Sequence, residues 1–315
     1  MLQSQLCELL GIKYPVFQGG MAWISDANLA AAVSNAGGLG IIAGMNSNRE
    51  QLTAEIRKLR TMTDKPFGVN VMLMSPFVKE IAEVVVDEKV PVVVTGAGDP
   101  SPYMKAWLDA GIKVIPVVAS VSFAKRAERN GATAVIAEGA ESGGHIGKLH
   151  TMPLIPQIVD AVNIPVLAAG GIADGRGMAA ALMLGACGVQ MGTRFLIADE
   201  CTIHDNYKDM VLKAKDIDTI TTGERTGDAC RALKNPFSKD FHKKEMVDCL
   251  PAEELAPLGI GALRRAAREG DVQTGSFLCG EIAGLVKERM SCKQIIEEVC
   301  TDCEKLLMGA SKWVR

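Results

Sequence analysis

The sequence predicts an α/β protein: a (β/α)8 TIM barrel carrying a smaller α+β second domain. Three observations lead there. Short apolar runs begin near residues 16, 39, 67, 92, 113, 134, 165 and 188, with a helix-length stretch between each pair. Such alternation builds right-handed parallel βαβ units, and eight of them within about 200 residues is the count of a closed barrel. Glycine-rich loops follow the seventh and eighth runs, where barrels of this kind hold phosphate. The loop after the first run, Gly19-Gly20-Met21-Ala22-Trp23, lacks the GxGxxG spacing that an open doubly wound sheet places there.

Taken in order, residues 16–19 form the first strand, behind Pro15. Ser25 or Asp26 can cap a helix reaching to about Asn35, which Gly37 and Gly38 end. Strand two is 39–42, strand three 67–71 with Asn70 near its end, strand four 92–95 and strand five 113–118. The stretches 49–60, 77–88 and 101–110 between them are helical in pattern. Residues 120–130 are helical with Gly131 as the stop, and strand six is 134–137. Residues 152–162, 165–168, 175–184 and 188–191 follow as helix, strand, Ala-rich helix and strand. Beyond 200 the pattern changes. One strand-like run, Asp218-Thr219-Ile220-Thr221-Thr222, precedes charged helical stretches punctuated by Pro236, Pro251 and Pro257, and helical periodicity returns over 275–307. The expected division is a barrel at 1–200, a small substrate- or partner-facing domain at 201–270, and C-terminal helices at 271–315 that pack back on the barrel.

Composition narrows the function classes. With 48% hydrophobic and 23% charged residues, a large core is within reach and global disorder is excluded. Only 4% are aromatic and the net charge is −3, so neither a base-stacking platform nor an electrostatic case for nucleic acid exists. No run of 18 apolar residues is present and the first residues lack a basic, then apolar, leader, so neither a membrane span nor a signal peptide is expected. Nine scattered cysteines, an odd number, point to reduced thiols and a cytoplasmic protein. Cys300-Thr301-Asp302-Cys303 has redox or metal spacing, but it sits in a helical pattern with no second pair nearby in sequence; it reads as one helix face, and no metal site is assigned.

The chemistry concentrates at 134–147, AVIAEGAESGGHIG. An apolar strand runs out at Glu138 into a loop with glycines at 139, 143, 144 and 147 and one histidine, His145. The glycines clear side chains from around the imidazole, so a flat ligand can lie against the backbone. Histidine changes charge nearest neutral pH and suits proton transfer. Barrel active sites collect at the C-terminal strand ends, where Gln18, Asn70, Thr95, Glu138 and the 143–145 loop stand. Each of these can instead brace its own loop. Ala168-Ala169-Gly170-Gly171-Ile172 and Gln190-Met191-Gly192-Thr193-Arg194 follow strands seven and eight. Backbone N–H groups freed by glycine beside helix starts bind phosphate, whether of FMN, a nucleotide or a sugar.

The stretches QGGMAWISDANLAAAVSNAGGLGII, DKPFGVNVMLMSPF, AVIAEGAESGGHIGKL, PVLAAGGIADGRGMAAALMLGACGVQMGTRF, KNPF and GSFLCGEIAGLV give the chain a resemblance along nearly its whole length. It resembles bacterial enoyl-acyl-carrier-protein reductase II, within the flavin-dependent nitronate monooxygenase-like superfamily. GGHIG with AAGGIADG and QMGTRF marks the superfamily; the first two stretches and the last favour the reductase. The resemblance implies an FMN enzyme that uses NADH or NADPH to saturate the 2,3-double bond of an enoyl thioester in fatty-acid elongation. The thioester would be borne by acyl carrier protein, and the enzyme would be a homodimer with a monovalent cation near its second domain. By the same resemblance, the FMN phosphate falls on Gly170, Gly171, Gly192 and Thr193, and its ring against Met21, Ala22, Asn70, Glu138 and Gly143. His145 matches the catalytic histidine, which would donate the α-carbon proton or hydrogen-bond the carbonyl oxygen. Two departures stand out. Glu281 replaces a common glutamine. No lysine or arginine ends a strand to neutralise a reduced flavin, leaving loop N–H groups or helix dipoles to serve.

The alternative activity is nitronate monooxygenase, in which reduced flavin meets O2 and the same histidine positions the nitronate. A nucleotide dehydrogenase would share the AAGGI loop, but it needs a nucleophilic cysteine after strand six and EGAESGGH has none. A non-catalytic flavin regulator leaves the GGHIG loop without a use. Residues 225–244 carry six basic side chains against two acidic ones. They form either a solvated face or a docking patch for the acidic carrier protein.

Overall fold

In the computed structural model, which describes residues 2, 4–45 and 47–314, eight parallel strands close on themselves. They are β1 Val16–Gln18, β2 Gly40–Ala43, β3 Phe67–Met72, β4 Val92–Gly96, β5 Lys113–Val118, β6 Val135–Glu138 and, after a two-residue strand β7 Gly144–His145, β8 Val166–Ala169 and β9 Gly188–Met191. The order is β1-β9-β8-β6-β5-β4-β3-β2. A parallel bridge from Phe17 to Leu39 joins the two ends: Gln18 N–H donates to Leu39 O at 3.0 Å and Leu39 N–H to Val16 O at 2.9 Å. The (β/α)8 barrel expected from the alternation is therefore closed. Several of its helices start at side-chain caps. Asp26 accepts from Leu29 N–H at 3.0 Å, and Ser120 accepts from Phe123 N–H. Ser25 is buried and serves the turn instead, accepting from Met21 N–H at 2.9 Å.

Strand side chains alternate between two apolar layers, as a pleated barrel requires. Phe17, Ile41, Val92, Val94, Ile115, Ile136, Leu167 and Ala169 share one cluster with Leu6 and Leu10, so they fill the barrel interior above the helix Gln5–Leu10. Val16, Ile42, Val69, Val71, Val93, Val114, Val135, Ala137, Ala168, Val189 and Met191 belong to the layer between barrel and helices. This parity governs the mouth. Asn70, Glu138 and Gln190 continue the inward series of their strands, whereas Gln18 and Thr95 continue the outward one.

The hairpin beyond the barrel is joined to it through the histidine loop, while the helix Cys292–Met308 packs against the barrel helices Gly175–Met183 and Ala27–Asn35. β10 Thr219–Thr222 and β11 Cys230–Leu233 form an antiparallel hairpin, and β11 also pairs antiparallel with β7, Cys230 opposite His145 and Arg231 opposite Gly144. The 218–222 run is thus largely a strand as expected, but its partner at 230–233 gave no strand signal strong enough to stand out. The expectation of helix over 275–307 is corrected in its first half. Leu233 N–H donates to Phe277 O at 2.8 Å, Ala232 bridges Leu278, a 3-10 turn spans Glu281–Leu285, and regular helix resumes only at Cys292–Met308. Pairing with β11 holds this segment extended, which overrides its local pattern. The helix Cys292–Met308 buries Cys300 and Cys303 on one face, at 2% and 0% exposure, as the spacing implied. Among the described residues no helix is long and apolar enough to cross a membrane.

Candidate active site

At the C-terminal mouth of the barrel lies a cavity of about 620 Å³. Met21, Ala22, Asn70, Glu138, Gly143, His145, Gly170, Gly171, Gly192 and Thr193 all line it. Five separate loops contribute them, so the fold brings together residues that the sequence holds far apart. Gln18 and Thr95 are not among the lining residues, which corrects their placement at the rim. Gln18 is fully buried; its Nε2 donates to Ser25 Oγ at 2.8 Å and its Oε1 accepts from Ile41 N–H at 3.1 Å. It braces the first loop. Its outward parity carries it away from the mouth, and the same parity buries Thr95 at 1% exposure.

Two glycine arrangements shape the walls. Gly170 and Gly171 have φ of 84° and 72°, a left-handed backbone that side chains rarely adopt. A Cβ on Gly170 would lie 2.7 Å from Gly139 O, while one on Gly192 would meet Met21 Sδ at 3.5 Å, an ordinary van der Waals contact. On the other side, a Cβ on Gly143 would fall 2.6 Å from the Cys279 carbonyl carbon, and one on Gly280 would fall 2.7 Å from Glu141 O. The histidine loop and the 279–281 segment touch backbone to backbone, which accounts for Gly143 in GGHIG and Gly280 in CGEIAG.

His145 is carried on β7, a strand that exists through its pairing with β11. Ile146 N–H donates to Ala229 O at 2.9 Å, and His145 Nε2 lies 3.0 Å from Asp228 Oδ1. Asp228 had no local signal in sequence. His145, Asp228 and Cys230 present donor atoms within 4.8 Å of one another, and burial pushes the metal-free Cys230 thiol up to about 12. Burial likewise raises the Cys279 thiol to about 12.

Glu138 is one of three acidic residues that line the cavity, with Asp99 and Glu141. Burial raises its carboxyl to about 7; the Ser142 hydroxyl faces it and offsets part of the shift, although Ser142 Oγ forms no hydrogen bond of ordinary geometry. Linkage fixes the sign of the consequence. A carboxyl whose folded value lies above its unfolded one, 4.5, favours the folded state at low pH and loses that contribution as pH rises to about 7. For the flavin-free protein, Glu138→Gln should therefore match wild type in melting temperature at pH 4.5 and exceed it at pH 8. Equal melting temperatures at both would show that the carboxyl is fully solvated through the cavity.

Glu281 does not line the cavity. It pairs with Arg231 at 3.0 Å, and Arg231 also donates to Ala140 O at 3.1 and 3.2 Å, so this guanidinium ties β11, the histidine loop and the 281 turn together. The glutamate at the common glutamine position is thus neutralised by a partner from the hairpin. The one arginine or lysine among the lining residues is Arg126, from the helix Val121–Arg129 and paired with Asp99 at 3.2 Å; no strand end supplies one.

The residues present suit a flavin mononucleotide. Two buried polar atoms, Gln190 Oε1 and Ser142 Oγ, line the cavity without a hydrogen-bond partner among the described residues, as a ligand with both donors and acceptors requires. The left-handed glycines at 170 and 171 leave one wall bare of side chains for a phosphate, and Met21 and Ala22 offer an apolar surface.

The closed barrel and this mouth define the class: a flavin-dependent oxidoreductase. The chain belongs to the nitronate monooxygenase family, whose sequence model matches residues 3–302. It is 46% identical to FabK from Thermotoga maritima, each chain covered in full, with a TM-score of 0.97. It is 33% identical to a Mycobacterium tuberculosis protein named (3aS,4S,5R,7aS)-5-hydroxy-7a-methyl-1-oxo-octahydro-1H-indene-4-carboxyl-CoA dehydrogenase, over 99% of each chain. A protein of Staphylococcus saprophyticus, named "Probable nitronate monooxygenase", is 34% identical over 97% of this chain and 99% of its own. The superfamily resemblance read from the GGHIG, AAGGIADG and QMGTRF stretches thus holds along the whole chain.

Proposed function

We propose that the chain is an FMN-dependent enoyl-acyl-carrier-protein reductase of fatty-acid elongation that consumes NADH or NADPH in the cytoplasm. The observation that carries this reading is a histidine opening onto the same cavity as the left-handed glycine wall. The end-to-end identity with FabK supports it, and so does a relative named for a carboxyl-CoA compound, itself an acyl thioester. Gly170, Gly171, Gly192 and Thr193 would hold the phosphate; Met21, Ala22, Asn70, Glu138 and Gly143 would hold the ring. Bound FMN supplies a two-electron carrier between nicotinamide and the double bond. His145 supplies the proton that the α-carbon needs, or a hydrogen bond to the thioester carbonyl oxygen while charge develops there. The glycines beside it let the thioester approach the loop backbone. A homodimer and a monovalent cation belong to the same reading.

Anaerobic mixing of the yellow protein with NADH and an enoyl thioester tests it. Consumption of both without O2 is the expected result. Activity only with a nitronate and O2 would install nitronate monooxygenase, the name that the Staphylococcus relative carries.

The carrier protein would meet the helix Pro236–Met246. Of the basic side chains at 225–244, Arg231 is engaged by Glu281, Lys244 pairs with Asp240 at 2.7 Å, and Lys239 and Lys243 are exposed without an ion pair among the described residues. Reversing Lys239 and Lys243 to glutamate should raise KM for an acyl-carrier-protein substrate several-fold at low salt. KM for a short coenzyme A thioester should hardly change, since steering acts on an acidic partner and fades within a Debye length of about 8 Å. Equal effects on both substrates would remove this helix from docking.

A further inference from the structure

We propose that Asp228 is the positioning residue of His145: its carboxylate fixes which ring nitrogen keeps its proton and which one exchanges it. The inference rests on His145 being the proton-transfer group of the reading above. His145 Nε2 lies 3.0 Å from Asp228 Oδ1, and the ring forms no other hydrogen bond among the described residues. A carboxylate accepts but cannot donate at neutral pH, so the ring presents Nε2–H to it. The proton for substrate then leaves from Nδ1. The imidazolium loses its Nδ1 proton to the α-carbon and becomes the neutral Nε2–H tautomer, still bound to Asp228. Nδ1 takes its next proton from solvent, to which the side chain is 39% exposed.

The carboxylate is held from two directions. On one side the β7–β11 ladder places Cys230 opposite His145, and Ile146 N–H donates to Ala229 O at 2.9 Å. On the other, Asp228 N–H donates to Gly223 O at 2.9 Å, closing the hairpin tip. That tip is pinned by Glu245, a fully buried side chain whose two oxygens accept from Gly223 N–H and Arg225 N–H, each at 2.8 Å. The Asp228–His145 pair itself is exposed, and exposed pairs add little to stability. Such anchoring, spent on a pair with little stabilising value, fits a role in orientation.

The test uses four holoenzymes: wild type, Asp228→Asn, Asp228→Glu and His145→Ala/Asp228→Asn, read beside His145→Ala by stopped flow. Asp228→Asn removes the charge and offers a donor NH2 beside its acceptor oxygen, so the residue no longer fixes the tautomer. It should slow acceptor reduction about 10–100-fold, the usual cost of losing an orienting partner. FMN content, flavin reduction by NADH and thioester affinity should stay near wild type. Asp228→Glu should recover most of the rate. The double variant should be no slower than His145→Ala, because Asp228 acts only through the ring. Wild-type rates in Asp228→Asn would overturn the proposal, and so would losses that multiply in the double variant. If wild type does not reduce enoyl thioesters, the proposed function falls by itself. The same proteins are then compared with a nitronate and O2, where the same pattern supports the positioning role and multiplying losses overturn it.

Discussion

His145→Ala is expected to leave FMN bound and flavin reduction by NADH nearly intact while slowing the reaction with enoyl thioester by roughly 10²–10⁴, the range for a lost general acid. The structure explains why the variant should stay well formed. The loop's path is set by backbone groups, through the β7–β11 ladder and the close contact of Gly143 with the 279–280 segment, and none of these uses the imidazole. Rapid-reaction traces that separate the two half-reactions provide the check. Crippled flavin reduction with normal thioester reduction would reassign His145 to the nicotinamide.

The second large effect is expected at the glycine wall. Gly171→Glu should give folded, colourless protein. A Cβ there would lie 3.6 Å from the Glu141 side chain, so the first carbon fits, and the left-handed φ of 72° costs ~1–2 kcal/mol, which a domain of this size can absorb. The carboxylate then extends beside Glu141 into the space assigned to the phosphate, adding bulk and like charge. Gly171→Ala is the milder companion and should bind FMN more weakly without excluding it. Flavin absorbance against protein absorbance, with circular dichroism as the folding check, decides. Stoichiometric flavin in the glutamate variant would move the phosphate elsewhere.

Much of the mouth was legible because barrels send their strand ends to one rim. Asn70 and Glu138 were found that way. Gln18 and Thr95 were misplaced by the same rule because strand-end position alone ignores parity. A period of two, counted from Phe17 and Val94 inward, would have separated them. It would also have added Gln190, whose inward carboxamide lines the cavity with an unpartnered oxygen. In sequence Glu281 stood out as a negative charge where the family commonly has a neutral glutamine. Its partner, Arg231, lies fifty residues earlier by number, and only the hairpin brings the two within 3.0 Å.

By itself the sequence determined the eight strand–helix units, the glycine loops after strands seven and eight, and the histidine loop after strand six. Each of these is written in residues that are neighbours along the chain: periodicity, caps and turn glycines act over a few residues, and a local pattern suffices to specify them. The tertiary structure decided the extended course of 276–280, the pairing of β7 with β11, and the carboxylate beside His145. Those depend on which strand edges meet after the barrel closes. An edge offers the same N–H and C=O groups whatever its side chains, so no nearby residue announces its partner.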